Sequence, residues 1–315
     1  MGETVASTMR HEDAFTPLPK GGSGTCGLCG REAELCDSHL LPSFVFKWLK
    51  DTSATGYLRF AENPNRRVQD GLKHKWLCRS CEQLFSREER AFANKIFHPY
   101  QQDTGVSAAY SEWLMRFCVS VSWRVLSDCT KRHDLSHLTP VQKGLAAQAL
   151  ERWRSYLLGE VPHPGSFEQH LLPLDALGSS TFQGMPDNIN RYLLRHVEMD
   201  LPSSNNQAFT FAKLGPLLIF GFIQAPRFRW HGTKVQLRSG AFGPRDYGLP
   251  TDLWNYLEAR ARKNASIYRR MSEAQHDKIE ADAFRNTDRF RRSKTFEAMR
   301  ADERMFGTGA VTRKP

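Results

Sequence analysis

Thr25-Cys26-Gly27-Leu28-Cys29-Gly30 and Leu77-Cys78-Arg79-Ser80-Cys81-Glu82 are the two stretches on which the reading of this chain turns. Each holds a Cys-x-x-Cys pair, and each pair offers two sulfurs at the edge of one short turn. Cys26, Cys29, Cys78 and Cys81 can therefore surround a single zinc ion tetrahedrally. Between Cys29 and Cys78 lie 48 residues, more than a compact zinc ribbon holds, so the inserted segment is expected to carry function. The chain has seven cysteines in all, the others being Cys36, Cys118 and Cys129. An odd count argues against a disulfide framework. Cys118 and Cys129 stand among apolar residues and read as small core side chains, while Cys36 fits either role. A redox role for the pairs would call for a surrounding βαβ pattern, which the sequence lacks.

Composition places the chain among ordinary soluble proteins. Of 315 residues, 40% are hydrophobic and 25% charged, away from disordered or collagen-like compositions. Such a length suggests about two domains. The longest apolar run, 214–223, is broken by Gly215, Pro216 and Gly221 and falls short of the ~20 residues of a membrane span. The opening MGETVASTMRHEDAF lacks a charged start followed by an apolar stretch, so a cytoplasmic location and no membrane partner are expected. The net charge of +10 points toward a polyanionic partner.

Working outward from the cysteines, residues 1–24 end in KGGSG and read as a disordered lead-in. Residues 25–100 form a zinc module: a turn, a short strand, a helix SFVFKWLK after Pro42, a polar loop ENPNRR, a strand KHKWL, the second cysteine turn, and a helix from near Glu82. Residues 101–265 form a mostly helical accessory domain. Apolar residues at helical spacing mark 110–126 and 139–158, and a further helix is expected over 251–265. RYLLRHVEMDL, FAKLGPLLIFGFI and TKVQLR read as strands of a small antiparallel sheet. From 266 to 315 alternating charges predict an exposed helix or a disordered tail. The fold class is thus α+β.

Ten residues after Cys29 stands His39, within Asp37-Ser38-His39-Leu40-Leu41-Pro42, and Glu82 follows the second cysteine pair at once. A Cys-x-x-Cys, a short strand ending in His with a following Pro, then Leu-Cys-x-x-Cys opening a helix, resembles the zinc-supported branch of the HNH (ββα-metal) endonucleases. The likeness covers roughly residues 25–97. It implies an HNH-like ββα fold, with His39 as general base, Ser38 at the position usually held by an Asp or His metal ligand, and Glu82 at the helix ligand position. Serine is a poor ligand, so either Asp37 reaches in, water fills the place, or the metal site is weakened. The family's middle Asn has no counterpart, Lys73 and His74 standing near its place. Glu89 lies two helical turns beyond Glu82 on the same face, with Ser86 between, and a hard ion such as Mg²⁺ or Mn²⁺ would accept both carboxylates. In such a site an imidazole takes a proton from water while the metal stabilises charge on phosphate. The zinc itself only clips together a motif too small to bury its own core.

Each residue also has a plainer reading. A His before Leu-Leu-Pro can be a hydrogen-bonded structural residue, Glu82 a partner of the helix dipole, and Glu89 a solvated charge beside Arg90. Around the candidate site, Arg66, Arg67, Lys73, Lys75, Arg79, Arg87 and Arg90 could bind phosphates of nucleic acid, duplex DNA in the first place. In Arg227-Phe228-Arg229-Trp230-His231, Trp230 is expected in the core rather than stacked on bases. The function expected is a metal-dependent endonuclease or nickase whose C-terminal region recognises a substrate, a protein partner or a signal, with an antiphage (antiviral defence) or mobile-element role suggested by family analogy. The alternative is a non-catalytic zinc-stabilised module that binds nucleic acid or protein.

Overall fold

The computed structural model describes residues 22–132, 134–180, 184–225 and 230–312. Strand β1 (Ser23–Thr25) pairs antiparallel with β2 (Glu32–His39), and β2 pairs with β5 (Lys73–Cys78). The β2–β5 register sets Leu35 opposite Cys78, Ser38 opposite His74 and His39 opposite Lys73, with a bulge between Cys36 and Asp37. Between these strands the chain inserts α1 (Ser43–Asp51) and a two-stranded ribbon, β3 (Leu58–Phe60) and β4 (Asn63–Val68). Pro42, with φ −55°, sets the entry of α1, which buries Val45, Phe46 and Trp48. The stretch ENPNRR, expected as a loop, runs largely in β4: pairing with β3 gives its polar backbone the partners that its side chains do not advertise.

β5 passes directly into α2 (Arg79–Phe92), a π-helical turn (Ala93–Phe97) and α3 (His98–Gln102). The buried residues of α2, Cys81, Phe85, Glu88 and Phe92, recur at helical spacing and form one stripe. After β6 (Ala108–Ser111) comes α4 (Glu112–Arg132), which is buried all round from Val119 to Cys129, as befits the central helix of a domain. Helix α5 (Pro140–Leu158) starts in a capping box between Thr139 and Gln142 and stops at Gly159, φ 78°.

A larger sheet has the order β7 (Gln169–Pro173), β11 (Leu217–Gln224), β10 (Gln207–Leu214), β8 (Val197–Asp200), with β9 (Ser203–Ser204) paired to β10. Both of its faces are covered. Leu217 and Ile219 join the core shared with α4, α5 and the cysteine module, whereas Leu218, Phe220 and Phe222 join a second cluster with Leu253, Tyr256 and Leu257. That two-sided burial is why FAKLGPLLIFGFI is apolar almost throughout. Gly221 lets α4 lie close to the sheet, since a Cβ there would stand 2.5 Å from Ser122 Oγ. The first core cluster runs from Cys26 to Phe242, so the boundary drawn at 100 falls inside α3 and inside continuous packing.

Three segments differ from their sequence reading. In RYLLRHVEMDL the first half is helix α6 (Ile189–Arg195), and only Val197–Asp200 is strand. The helix forms because Asp302 accepts the backbone N–H groups of Asn190 and Arg191, a tertiary partner the local pattern does not reveal. TKVQLR makes a single bridge, Lys234 to His170, and the strand lies just beyond it as β12 (Ser239–Phe242), paired with β6. The charged C-terminal region forms α7 (Thr251–Arg269), α8 (Glu273–Arg285), α9 (Thr287–Arg292) and α10 (Lys294–Phe306). Helix α10 seats Ala298, Ala301 and Asp302 in the interior and so is no free tail. Trp230 is core, edge-on to Phe220 and Phe222, while Arg227, Phe228 and Arg229 lie outside the described residues, as does most of the lead-in. No helix among the described residues is long and apolar enough to cross a membrane.

Candidate metal centre and the strand end beside it

The turn between β1 and β2 carries Cys26 and Cys29, Cys78 ends β5, and Cys81 sits in the first turn of α2. Their four sulfurs lie within 4.8 Å of one another, with Cys29 and Cys78 3.9 Å apart. Zinc–sulfur bonds of about 2.3 Å in a tetrahedron require sulfurs about 3.8 Å apart, so the set fits such an ion. Against burial, hydrogen bonds favour the thiolate at Cys29 and Cys78, whereas burial and the neighbouring sulfurs push the Cys81 thiol up. The Cys78 N–H donates to Cys26 Sγ (3.3 Å) and Arg31 Nε to Cys29 Sγ (3.5 Å). Burial opposes ionisation of Cys29, but the bond from Arg31 prevails and lowers this thiol to about 6. Gly27 is required sterically: its N–H donates to Trp76 O at 2.9 Å, and a Cβ would lie 1.9 Å from Trp76 Nε1. The four cysteines can hold a metal ion such as zinc. Cys36 stays outside the cluster, and Cys118 and Cys129 are buried in the core.

His39 closes β2 with its imidazole 18% exposed. Nε2 meets Asp70 Oδ1 at 2.9 Å, and the ring stacks on Phe46. Asp70 in turn binds Lys73 Nζ at 2.5 Å and the Gly71 N–H at 2.8 Å. Partial burial alone would raise its pKa; the bonds from Lys73, His39 and Gly71 outweigh this and hold it at about 2. Nδ1 of His39 makes no hydrogen bond among the described residues.

The other expected site residues are placed differently from one another. Ser38 faces the interior, where its Oγ accepts from the Leu77 N–H (3.3 Å) and donates to Cys36 O (3.4 Å). His74, its register partner, is buried toward Asp128 at 3.4 Å. Strand alternation thus puts Ser38 and His74 on one face and His39 with Lys73 on the other. Asp37 is exposed and paired with Lys75 at 3.4 Å. Glu82, in the first turn of α2, has no hydrogen bond or ion pair among the described residues. Glu89 is bound to Arg124 Nη2 at 2.8 Å. Apart from the four cysteines, no group of three or more His, Cys, Asp or Glu side chains among the described residues converges on a metal position.

Of the basic residues, Lys73 and Lys75 serve Asp70 and Asp37, Arg87 pairs with Glu88 at 2.7 Å, and Arg67 pairs with Asp282 of α8 at 2.7 Å. Arg66, Arg79 and Arg90 are exposed. Two residues escaped the sequence reading. Asp70 sits before a glycine in a polar segment and carries no signal of its own. Arg124 carries one, a charge inside an apolar helix: it is buried over the Phe85 ring, donates to His39 O at 3.3 Å and ties that strand end to Glu89. Compared with protein-family models, curated proteins and solved structures, the chain matches none.

Proposed function

We propose that the cysteine module is an HNH-type phosphodiesterase acting on nucleic acid, DNA in the first place. The observation that supports this is the His39–Asp70 pair, 2.9 Å apart on a partly exposed imidazole. A carboxylate on Nε2 selects the tautomer with its proton there, leaving Nδ1 as the free base that removes a proton from water attacking phosphorus. The four thiolates, with zinc bound, fix β2 to the start of α2, and Arg124 braces the His39 backbone against Glu89. Because the carboxylates are not gathered, no step is assigned to Mg²⁺ or Mn²⁺. A cytoplasmic site of action and a role in antiviral defence belong to the same proposal by analogy with the family.

A supercoiled plasmid incubated with the protein, with and without Mg²⁺ or Mn²⁺, tests the reading. Nicking by wild type that His39→Ala abolishes is the expected result; equal nicking by both rejects the mechanism. A second reading, a non-catalytic zinc-stabilised module that binds nucleic acid or protein, is favoured by the burial of Ser38 and by the dispersed carboxylates. Binding without cleavage under any divalent ion would select it.

A further inference from the structure

The corner where α8 meets α9 carries features that the fold does not use. Phe284-Arg285-Asn286-Thr287-Asp288-Arg289-Phe290-Arg291-Arg292-Ser293-Lys294 contains five basic residues and one acidic one. Phe284 is 80% exposed, whereas Phe290 packs on Phe296 with ring centroids 4.9 Å apart. Among the described residues, α9 buries no side chain and α8 buries Gln275 alone. The corner is nonetheless anchored. The Arg289 guanidinium donates to Lys50 O (3.1 Å), Asp51 O (3.4 Å) and Ser53 O (3.1 Å) at the end of α1. Asn286 Oδ1 caps α9 through the Arg289 N–H (3.1 Å), and the Lys294 N–H donates to Thr52 O (3.0 Å). With Arg289 turned inward, Arg291 and Arg292 stay exposed without an ion pair among the described residues, and Arg285 is 78% exposed beside Asp282. A fixed polar mount therefore presents one unpacked aromatic ring and three outward guanidinium groups.

We propose that this corner binds a single-stranded segment of nucleic acid, with the guanidinium groups on phosphates and Phe284 stacked on a base. The ligand class rests on the function proposed above, but the corner is built from other residues than the His39–Asp70 pair. Three considerations select this occupant. Outward arginines complement a polyanion: the nearby acids are Asp288 and Asp282, and Asp282 faces Arg285 alone of the three. An exposed ring adds stacking to every base type, which duplex DNA withholds inside its own stack. A protein interface would surround the ring with apolar neighbours, and here Asp282, Arg285, Asn286 and Thr287 flank it, with Ala283 the one apolar residue among them.

The experiment is fluorescence anisotropy of full-length, zinc-loaded protein with a labelled oligothymidylate of ~20 nucleotides, and with a duplex of equal length, across a salt series. Expected are tighter binding of the single strand and, for Arg291→Glu with Arg292→Glu, affinity lowered about tenfold or more with a shallower salt slope. Phe284→Ala should weaken the single-strand complex about fivefold or more and leave the duplex unchanged, and Phe284→Trp should restore it. Arg238→Glu, an exposed charge change elsewhere, should alter neither. These sites are exposed, so zinc content and circular dichroism should match wild type in every variant. Unchanged binding in the corner variants, a duplex preference, or no binding by wild type overturns the proposal. Strand binding without cleavage refutes the nuclease reading alone; cleavage with normal binding by the corner variants refutes this inference alone.

Discussion

Trp76 of β5 and Trp123 of α4 stack with ring centroids 5.0 Å apart and planes 12° from parallel. Trp76 stands two residues before Cys78, and its indole edge lies against Gly27 in the other cysteine turn. One side chain thus touches both halves of the cysteine cluster and the central helix. Lys131 covers its ring as well, 5.4 Å from the centroid. Disturbance at the cluster therefore reaches the helical body directly through this packed pair, beside the α2–α4 contacts of Phe85 with Trp123 and Phe92 with Phe117.

Purified protein should contain one zinc per chain by elemental analysis. Cys78→Ser with Cys81→Ser should abolish it and lower Tm, because ion binding and ordering of the β1–β2–β5 sheet are one equilibrium. Finding no zinc in intact wild type would remove the premise.

Gly27→Ala should weaken zinc retention against a chelator while sparing all four thiols. Its Cβ would need the space now held by Trp76 Nε1, so either the turn opens or the Trp76–Trp123 stack breaks. A shift in tryptophan emission accompanying the loss would identify the second route.

His39→Ala should lower nicking by ~10² or more, and Asp70→Asn less, since the amide still accepts a bond from Nε2 but loses the charge. Asp70 also gives a pH signature in stability. Its folded pKa of about 2 lies below the ordinary 3.8, so its contribution is complete above the upper value and disappears as pH falls through the lower one. The urea midpoint of wild type should exceed that of Asp70→Asn near neutrality, and the gap should close in acid.

Arg260→Met should destabilise the chain by about 3–5 kcal/mol in urea titrations. Arg260 of α7 bonds Glu198 through Nε at 3.0 Å and Asp200 through Nη1 at 3.1 Å, both carboxylates lying on buried β8. Removing the cation leaves two interior charges, Glu198 with the Tyr192 hydroxyl on it and Asp200 with the Tyr256 hydroxyl and the Leu201 N–H on it, and no cation at Arg260's place. Adding Glu198→Gln and Asp200→Asn should recover most of the loss.

Cys26, Cys29, Cys78 and Cys81 were legible in the sequence because metal ligation imposes a short-range spacing that no ordinary core requires. The extent of α5 was legible as well, since helical periodicity, the Thr139 start and Gly159 are local signals; α4 was legible as a helix, but it runs to Arg132, six residues past the 126 at which its expected span ends. Tertiary structure alone decided the rest. Ile189–Arg195 became helix because Asp302, more than a hundred residues away in the chain, accepts the N–H groups of Asn190 and Arg191 in its first turn. Asp70 met His39, and Arg124 met both the His39 backbone and Glu89, only when β2, β5, α2 and α4 packed together. Ser38 and His39 were adjacent letters read as one site, yet the alternation of a strand sends one side chain to the core and the next to solvent. Spacing along the chain encodes what neighbours in sequence can do together, whereas pairings across it depend on packing that no local pattern records.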